Sequence, residues 1–311
     1  MNRYYPEGVL LKTPENYMRI SSLSGLEKAQ EKETILEATA ILCDESLALH
    51  VELAGGLRGV IPKEEVVLSK PNESVKDIAI LTRVGKPVCF CVTGFLREGD
   101  GQCIAILSRR KAQRLCVENY IANLIPGDII PARVTHMEGF GAFMDIGCGI
   151  PSLLTIDAIS VSRISHPKER FAVGDEMKVA VKSKDAEGRV YLTRKELLGT
   201  WEENASIFEP GQTVAGIVRS IENYGIFVEL TPNLAGLAEL KEGVAPGDIA
   251  AVFIKSILPE KMKVKLVIID SQPSKIPFSF PAVHAAASKE EHLCTWRYSP
   301  DSCNRVIETF F

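Results

Sequence analysis

No stretch of this 311-residue chain is apolar for the length of a membrane span, and its N-terminus lacks the basic segment and apolar run of a secretory signal. Neither export nor a membrane partner is expected. None of the eight cysteines falls in a Cys-x-x-Cys pair. Cys89 and Cys91 are separated by one residue in a strand-like run, so they point the same way. Buried thiols of a reduced, cytoplasmic protein account best for the set. Enzyme signatures are missing as well: there is no Gly-x-x-x-x-Gly-Lys phosphate loop, no Gly-x-Ser-x-Gly elbow and no His-Glu-x-x-His. The acids are scattered through turns and linkers, without the cluster that a two-metal nuclease needs. No catalytic residue and no cofactor is expected.

An excess of positive charge is also lacking. The net charge is −4. Residues 127–195 carry ten Lys and Arg against nine Asp and Glu, residues 211–270 six against seven, and residues 31–117 twelve against twelve. The linker 196–210 holds four acids and no base. Phosphate is therefore least disfavoured around residues 127–195, and charge permits nucleic-acid binding without demanding it.

What the chain does have is a gapless repeat with an offset of 84 residues. Pro126-Gly127-Asp128, Arg133-Val134 and Gly139-Phe140-Gly141-Ala142-Phe143-Met144-Asp145-Ile146 return as Pro210-Gly211-Gln212, Ile217-Val218 and Asn223-Tyr224-Gly225-Ile226-Phe227-Val228-Glu229-Leu230. Within the first of these repeats, short β-branched runs bounded by Gly, Asp and Pro predict strands over 129–137, 142–147, 151–156, 177–183 and 189–194. Alternation places Ala132, Val134, Ala142, Met144, Ile146, Val179, Val181, Val190 and Leu192 inside a small closed barrel. The opposite register sends Phe143 outward beside Asp145, with Phe140 at the preceding turn. Tyr224 and Phe227 take the matching places 84 residues on.

The succession Gly127-Asp128, Gly139 to Phe143, Ser152-Leu153-Leu154, Val173-Gly174-Asp175 and Gly188-Arg189-Val190-Tyr191-Leu192-Thr193 resembles the RNA-binding domain first described in ribosomal protein S-one. That domain is an oligonucleotide-binding (OB-fold) barrel. The resemblance extends to the next repeat through Pro246-Gly247-Asp248 and Val264-Lys265-Leu266-Val267. More faintly it reaches back to His50-Val51-Glu52-Leu53, Gly56 to Pro62, Val84 to Pro87 and Ile106 to Arg109. The fold class expected is mostly β: tandem five-stranded OB-fold barrels with short helical linkers and a C-terminal extension. The expected boundaries are an N-terminal extension 1–30, a degenerate barrel 31–115, an RNA-binding barrel 120–198, a shortened barrel 206–271 and an extension 272–311 packed on the third barrel.

The resemblance implies single-stranded RNA as partner, in translation or RNA metabolism, bound through stacking aromatics and phosphate contacts. Carried over, it implicates Phe140, Phe143 and Arg133. Lys178, Lys182 and Arg189 fall outward on the last hairpin, where they meet phosphates or simply form a solvated face. The family's third-strand histidine is replaced by Thr155, which can hydrogen-bond but not stack, so weaker binding is expected. In the next repeat Glu239 takes that position and Ile217 replaces the arginine. Tyr224 and Phe227 therefore either stack bases or face a protein. The alternative function is a module docking on the ribosome or an RNA-processing protein, with incidental RNA contact. In the first repeat Leu47 and His50 occupy the aromatic positions, which suits packing or protein contact.

Arg109, Arg110, Lys111 and Arg114 form a basic cluster, expected as a solvated helical linker rather than a guide for RNA. Residues 197–203 read as a helix with an apolar side, predicting a fixed second-to-third barrel arrangement. In the tail, His284, His292, Cys294 and Cys303 match no zinc spacing, so no metal is expected. Trp296, Tyr298, Ile307, Phe310 and Phe311 are expected to pack the tail onto the third barrel.

Overall fold

The computed structural model describes residues 4–69, 75–97, 103–273 and 278–311. Near the N-terminus the Thr13 hydroxyl caps α1 (Pro14–Ile20), with Pro14 at its first position, and Ser22 caps α2 (Leu23–Glu31). Ile20, Leu26 and Ala29 from these helices join the core of the first barrel. That barrel comprises β1 (Leu36–Cys43), β2 (Leu49–Glu52), β3 (Arg58–Ile61), a short α3 (Asp77–Leu81), β4 (Pro87–Arg97) and β5 (Cys103–Ser108). Its strand order is β1-β2-β3-β5-β4, with β3 and β5 parallel and β4 returning to β1. The chain leaves through α4 (Arg109–Asn119), capped by Ser108.

The middle barrel has the same order from β6 (Ile129–Glu138), β7 (Gly141–Asp145), β8 (Pro151–Thr155), β9 (Glu176–Lys184) and β10 (Val190–Thr193). All nine residues expected inside it are buried. After α5 (Trp201–Ala205), the third barrel repeats the order with β11 (Thr213–Glu222), β12 (Gly225–Thr231), β13 (Leu234–Ala238), β14 (Asp248–Leu258) and β15 (Lys263–Pro273). A two-stranded ribbon, β16 (Thr295–Arg297) and β17 (Glu308–Phe310), closes the described chain. One sequence thus folds three times into a 1-2-3-5-4 barrel. The helix read over 197–203 is divided: a 3-10 turn at Lys195–Leu198 stops at Gly199, and α5 starts again on a Thr200–Glu203 capping box.

The chain divides into two compact units. One holds Met1–Leu124, Pro131–Arg133 and Met144–Pro151. Its centre is a buried charge cluster. Arg109 is 2% exposed and forks onto Glu7, with Nε 2.6 Å from Oε1 and Nη2 2.9 Å from Oε2. Arg83 approaches the same carboxylate at 3.5 Å. The Glu7 amide donates to Asp145 at 2.7 Å, and Asp145 also accepts from the amides of Gly147 and Gly149.

Two expectations are corrected here. Asp145 does not stand outward beside Phe143: it is 2% exposed, because its carboxylate turns into the loop that ends β7. The basic cluster is solvated only in part: Arg109 is buried, whereas Arg110, bonded to Glu65, and Lys111, 2.7 Å from Glu33, are partly exposed and Arg114 is exposed.

Glu37 is buried in the same unit, accepting from the amides of Gly8 and Leu11. Burial, with smaller contributions from the charges of Glu7 and Asp145, pushes its carboxyl up to about 7. A group raised in the folded state holds its proton more tightly there than in the unfolded chain. Its contribution to stability is complete below its ordinary value of 4.5 and is lost as pH rises toward 7. Urea midpoints should therefore fall between pH 5 and 7.5, and Glu37→Gln should flatten part of that slope.

The other unit holds Ile125–Ile130, Val134–Phe143 and Ser152–Phe311. Glu229, fully buried on β12, accepts from Arg170 and Arg219, and Arg219 reaches on to Glu169. The Asn233 side chain donates to the carbonyls of Lys195 and Gly199 and accepts from the Val161 amide. Trp296 and Tyr298 of the ribbon are buried in the third-barrel core, with Ile307 packed against it. Phe310 departs from expectation: it is 70% exposed, because β17 turns it away from that core.

Gly127 has a φ of 93°, and an added Cβ would lie 2.0 Å from the Leu293 carbonyl oxygen. Its repeat partner Gly211 has a φ of 94° and open space around it. Both alanine variants incur left-handed strain of roughly 1–2 kcal/mol, but only Gly127→Ala should also release the segment around Leu293. Limited proteolysis of the two variants checks this, with faster tail cleavage for Gly127→Ala alone.

Candidate nucleic-acid interface

Phe140 sits in the turn between β6 and β7 and is 57% exposed. Phe143 is half-buried on β7, alternating with the inward Ala142 and Met144. Their ring centroids are 6.0 Å apart at 88°. Tyr224 and Phe227 repeat this arrangement at 6.1 Å and 89°, with Tyr224 66% exposed. The sequence repeat is thus a repeat of ring geometry. Edge-to-face contacts at this spacing are favourable and hold one ring upright against the other, leaving a π-face for a further ring. Gly141 makes the approach possible, since a Cβ there would lie 2.5 Å from the Leu154 carbonyl oxygen.

Sequence reasoning missed His136. Its ring stacks on Phe143 with centroids 6.1 Å apart and planes at 27°, and its Nε2 lies 2.6 Å from Glu138. Simple alternation along β6 from Val134 would turn His136 inward. In the third barrel a register shift between Val218 and Ser220 brings Ser220 opposite Phe227, and residue 136 lies 84 before Ser220. Thr135 and His136 are both exposed, as a bulge at this point requires. An aromatic-capable residue two positions before the end of β6 was the available signal.

The remaining candidates spread around the barrel. Thr155 ends β8, half-buried, beside the turn where the Ile156 amide donates to the Phe140 carbonyl at 2.9 Å. Arg133 is half-buried and donates to the Glu7 carbonyl at 2.7 Å, which holds its guanidinium against the N-terminal segment. Lys178 is exposed on β9. Lys182 lies 3.9 Å from Asp157, and Arg189 meets Asp185 at 2.6 Å and Glu187 at 3.6 Å. In the first barrel the His50 ring bonds Asp44 at 2.7 Å, and Leu47 adopts a φ of 63°. No set of three or more metal-ligating side chains comes together among the described residues; His292 instead bonds Asp128. No described helix is long and apolar enough to cross a membrane.

A closed five-stranded barrel in the order 1-2-3-5-4, carrying an outward aromatic pair, belongs to the oligonucleotide-binding class. Residues 124–195 match the S1 RNA binding domain, and the middle barrel is a member of that family. Beyond that barrel the chain is homologous to small ribosomal subunit protein bS1. It is 30% identical over 255 residues to the Staphylococcus haemolyticus protein and 27% identical over 257 residues to that of Staphylococcus aureus. Each alignment covers 73% of this chain, which spans 64% of the length of those relatives. A solved multidomain protein with nucleic acid binding domains from Streptococcus pneumoniae covers 76% of this chain and 73% of its own, at 15% identity and a TM-score of 0.25.

Proposed function

We propose that the chain binds single-stranded RNA in translation, through stacking on Phe140 and Phe143, and that it works in the cytoplasm without catalysis or a cofactor. The observation that carries this reading is the upright aromatic pair, Phe140 exposed and Phe143 half-buried, with His136 beside it, inside the segment that matches an RNA-binding family. Bases of any identity have a π-face, so such a platform gives little sequence choice. Thr155 borders the platform, with its hydroxyl oxygen buried beneath it. Lys178, Lys182 and Arg189 supply phosphate contacts; Asp157 beside Lys182 and Glu187 beside Arg189 are exposed partners that phosphate can replace, since surface ion pairs contribute only about 0–1 kcal/mol. Arg133 serves the N-terminal segment instead, through Glu7.

The modules in this reading are barrels at 31–115, 120–198 and 206–271, flanked by extensions 1–30 and 272–311. Ribosomal context is supported by the names of the relatives. Fluorescence anisotropy with a labelled single-stranded dodecamer at two salt concentrations tests the reading. Binding should weaken with salt and be lost in the Phe140→Ala, Phe143→Ala variant. Unchanged binding by that variant would overturn it. No binding even by the wild type would leave docking on a protein or ribosome as the account.

A further inference from the structure

Three thiols that the reading above does not use meet in the core of the first unit. Cys89 comes from β4, Cys116 from α4 and Cys148 from the loop that follows β7. All three are buried. The Cys148 thiol is within hydrogen-bonding reach of both the Cys89 and the Cys116 thiols. The Cys116 sulfur also abuts the backbone next to Cys148, since a Cβ on Gly147 would lie 2.9 Å from that Sγ. The thiols stand in a row with Cys148 at its centre, not in a set that could hold a metal ion. A buried thiol by itself is a small apolar side chain. A row assembled from three distant parts of the chain is more than that, because each neighbouring pair is a dithiol already placed side by side.

Cys148 is held where it is against its backbone preference. Its φ is 50°, and Gly147 and Gly149 on either side also have positive φ. Glycine would take this left-handed backbone without strain, and strain kept at a non-glycine residue clusters at functional sites. The Cys148 amide donates to the Tyr5 carbonyl at 2.8 Å. Its own carbonyl accepts from Gln113 at 3.1 Å, about one turn of α4 before Cys116.

The N-terminal segment reaches each member of the row. Tyr4 stacks on Tyr120 with centroids 5.8 Å apart, and the Tyr120 amide donates to the Cys116 carbonyl. Tyr5 holds Cys148, and Glu7 accepts from the Cys89 amide at 3.1 Å. Burial first, and then the Cys148 thiol, pushes Cys89 well up from its ordinary value; the contact with Cys116 does the same for Cys148. With the segment in place both thiols stay protonated, and the protonated form is not the nucleophile. Local opening of the segment removes that protection.

We propose that Cys148 is a peroxide-sensitive thiol, resolved into a disulfide by Cys116 or Cys89, and that the N-terminal segment gates its access. The Cys148 thiolate takes a hydroxyl from hydrogen peroxide to become a sulfenic acid, and the hydroxide released collects the thiol proton as water. The neighbouring thiol then displaces the sulfenic hydroxyl, which leaves with that thiol's proton as a second water while the S–S bond forms. Two electrons pass from the sulfurs to the peroxide, and a dithiol reductant reverses the step. The bond ties the loop after β7 to α4 or to β4. The inference does not rest on the RNA reading.

The test treats the full chain with hydrogen peroxide, in a Cys294→Ser background that removes the exposed thiol. Remaining thiols are alkylated and peptides mapped without reduction. A cross-link from Cys148 to Cys116 or Cys89 is expected, reversed by dithiothreitol and absent in Cys148→Ser. The cross-linked chain should unfold at higher urea, since the bond restricts the unfolded state. Tyr4→Ala, which loosens the segment, should form the bond several-fold faster. The variant Cys89→Ser, Cys116→Ser leaves Cys148 without a resolving thiol, so dimedone should trap its sulfenic acid even if Cys148→Ser does not fold. Cys148 recovered as a free thiol after the partly exposed Cys43 and Cys103 have been oxidised would overturn the proposal, as would cross-links joining other pairs. An unchanged rate in Tyr4→Ala would overturn the gating.

Discussion

Arg109→Ala should destabilise the chain by about 3–5 kcal/mol, the usual result of removing one partner from a buried ion pair. The size of the effect follows from what stays behind. Glu7 is nearly as buried as Arg109, at 6% exposure, and beside it Asp145 is held above the ordinary carboxylate range, chiefly by burial and then by the Glu7 charge. Without the guanidinium, two carboxyl groups share a space that water hardly reaches. Glu7 must then take up a proton or pull its segment out. Urea unfolding followed by circular dichroism measures the loss. The double variant Glu7→Gln, Arg109→Met should recover part of it, because the pair is replaced together and only the partly exposed Arg83 loses its carboxylate. If the single variant loses less than about 1 kcal/mol, the cluster is solvated in solution.

The second large effect concerns RNA. Stacking contributes roughly 1–3 kcal/mol per base by alanine substitution, so removing both Phe140 and Phe143 should weaken binding by at least about 30-fold. Phe140→Ala should affect binding more than stability, since the ring is 57% exposed. Phe143→Ala carries a folding penalty as well, because that ring is half-buried and touches both Phe140 and His136. Comparing the two single variants by anisotropy and thermal midpoint separates the contributions. His136→Ala should act in the same direction and more weakly.

The barrels were legible in the sequence because their information is local. Period-two alternation, turn glycines and a fixed 84-residue offset located every strand of the middle repeat to within about two residues. What escaped was set by distant partners or by single irregularities. Glu7 meets Arg109 across 102 residues and Asp145 across 138, and neither separation leaves a trace in local pattern. Arg109 therefore read as one of four similar cations in a helix. His136 escaped for the opposite reason: a single extra residue in a strand reverses the facing of everything after it. Phe310 shows the limit of composition, since an apolar residue at the end of a three-residue strand has no periodicity to fix its side.

Asp145 and Glu229 lie 84 residues apart, at the same place in successive copies, and both are buried carboxylates. The first is gripped by the Glu7 amide and the second by the arginines at 170 and 219. The corresponding residue of the first barrel, Glu52, is left exposed. Duplicated barrels begin as interchangeable parts, but an acid that has acquired its own counterpart turns each copy into a key for one lock. Reordering the barrels would part the Arg170 guanidinium, which comes from the middle barrel, from the Glu229 carboxylate of the third. The linear order of the chain is thus guarded by the same position that the duplication once made identical.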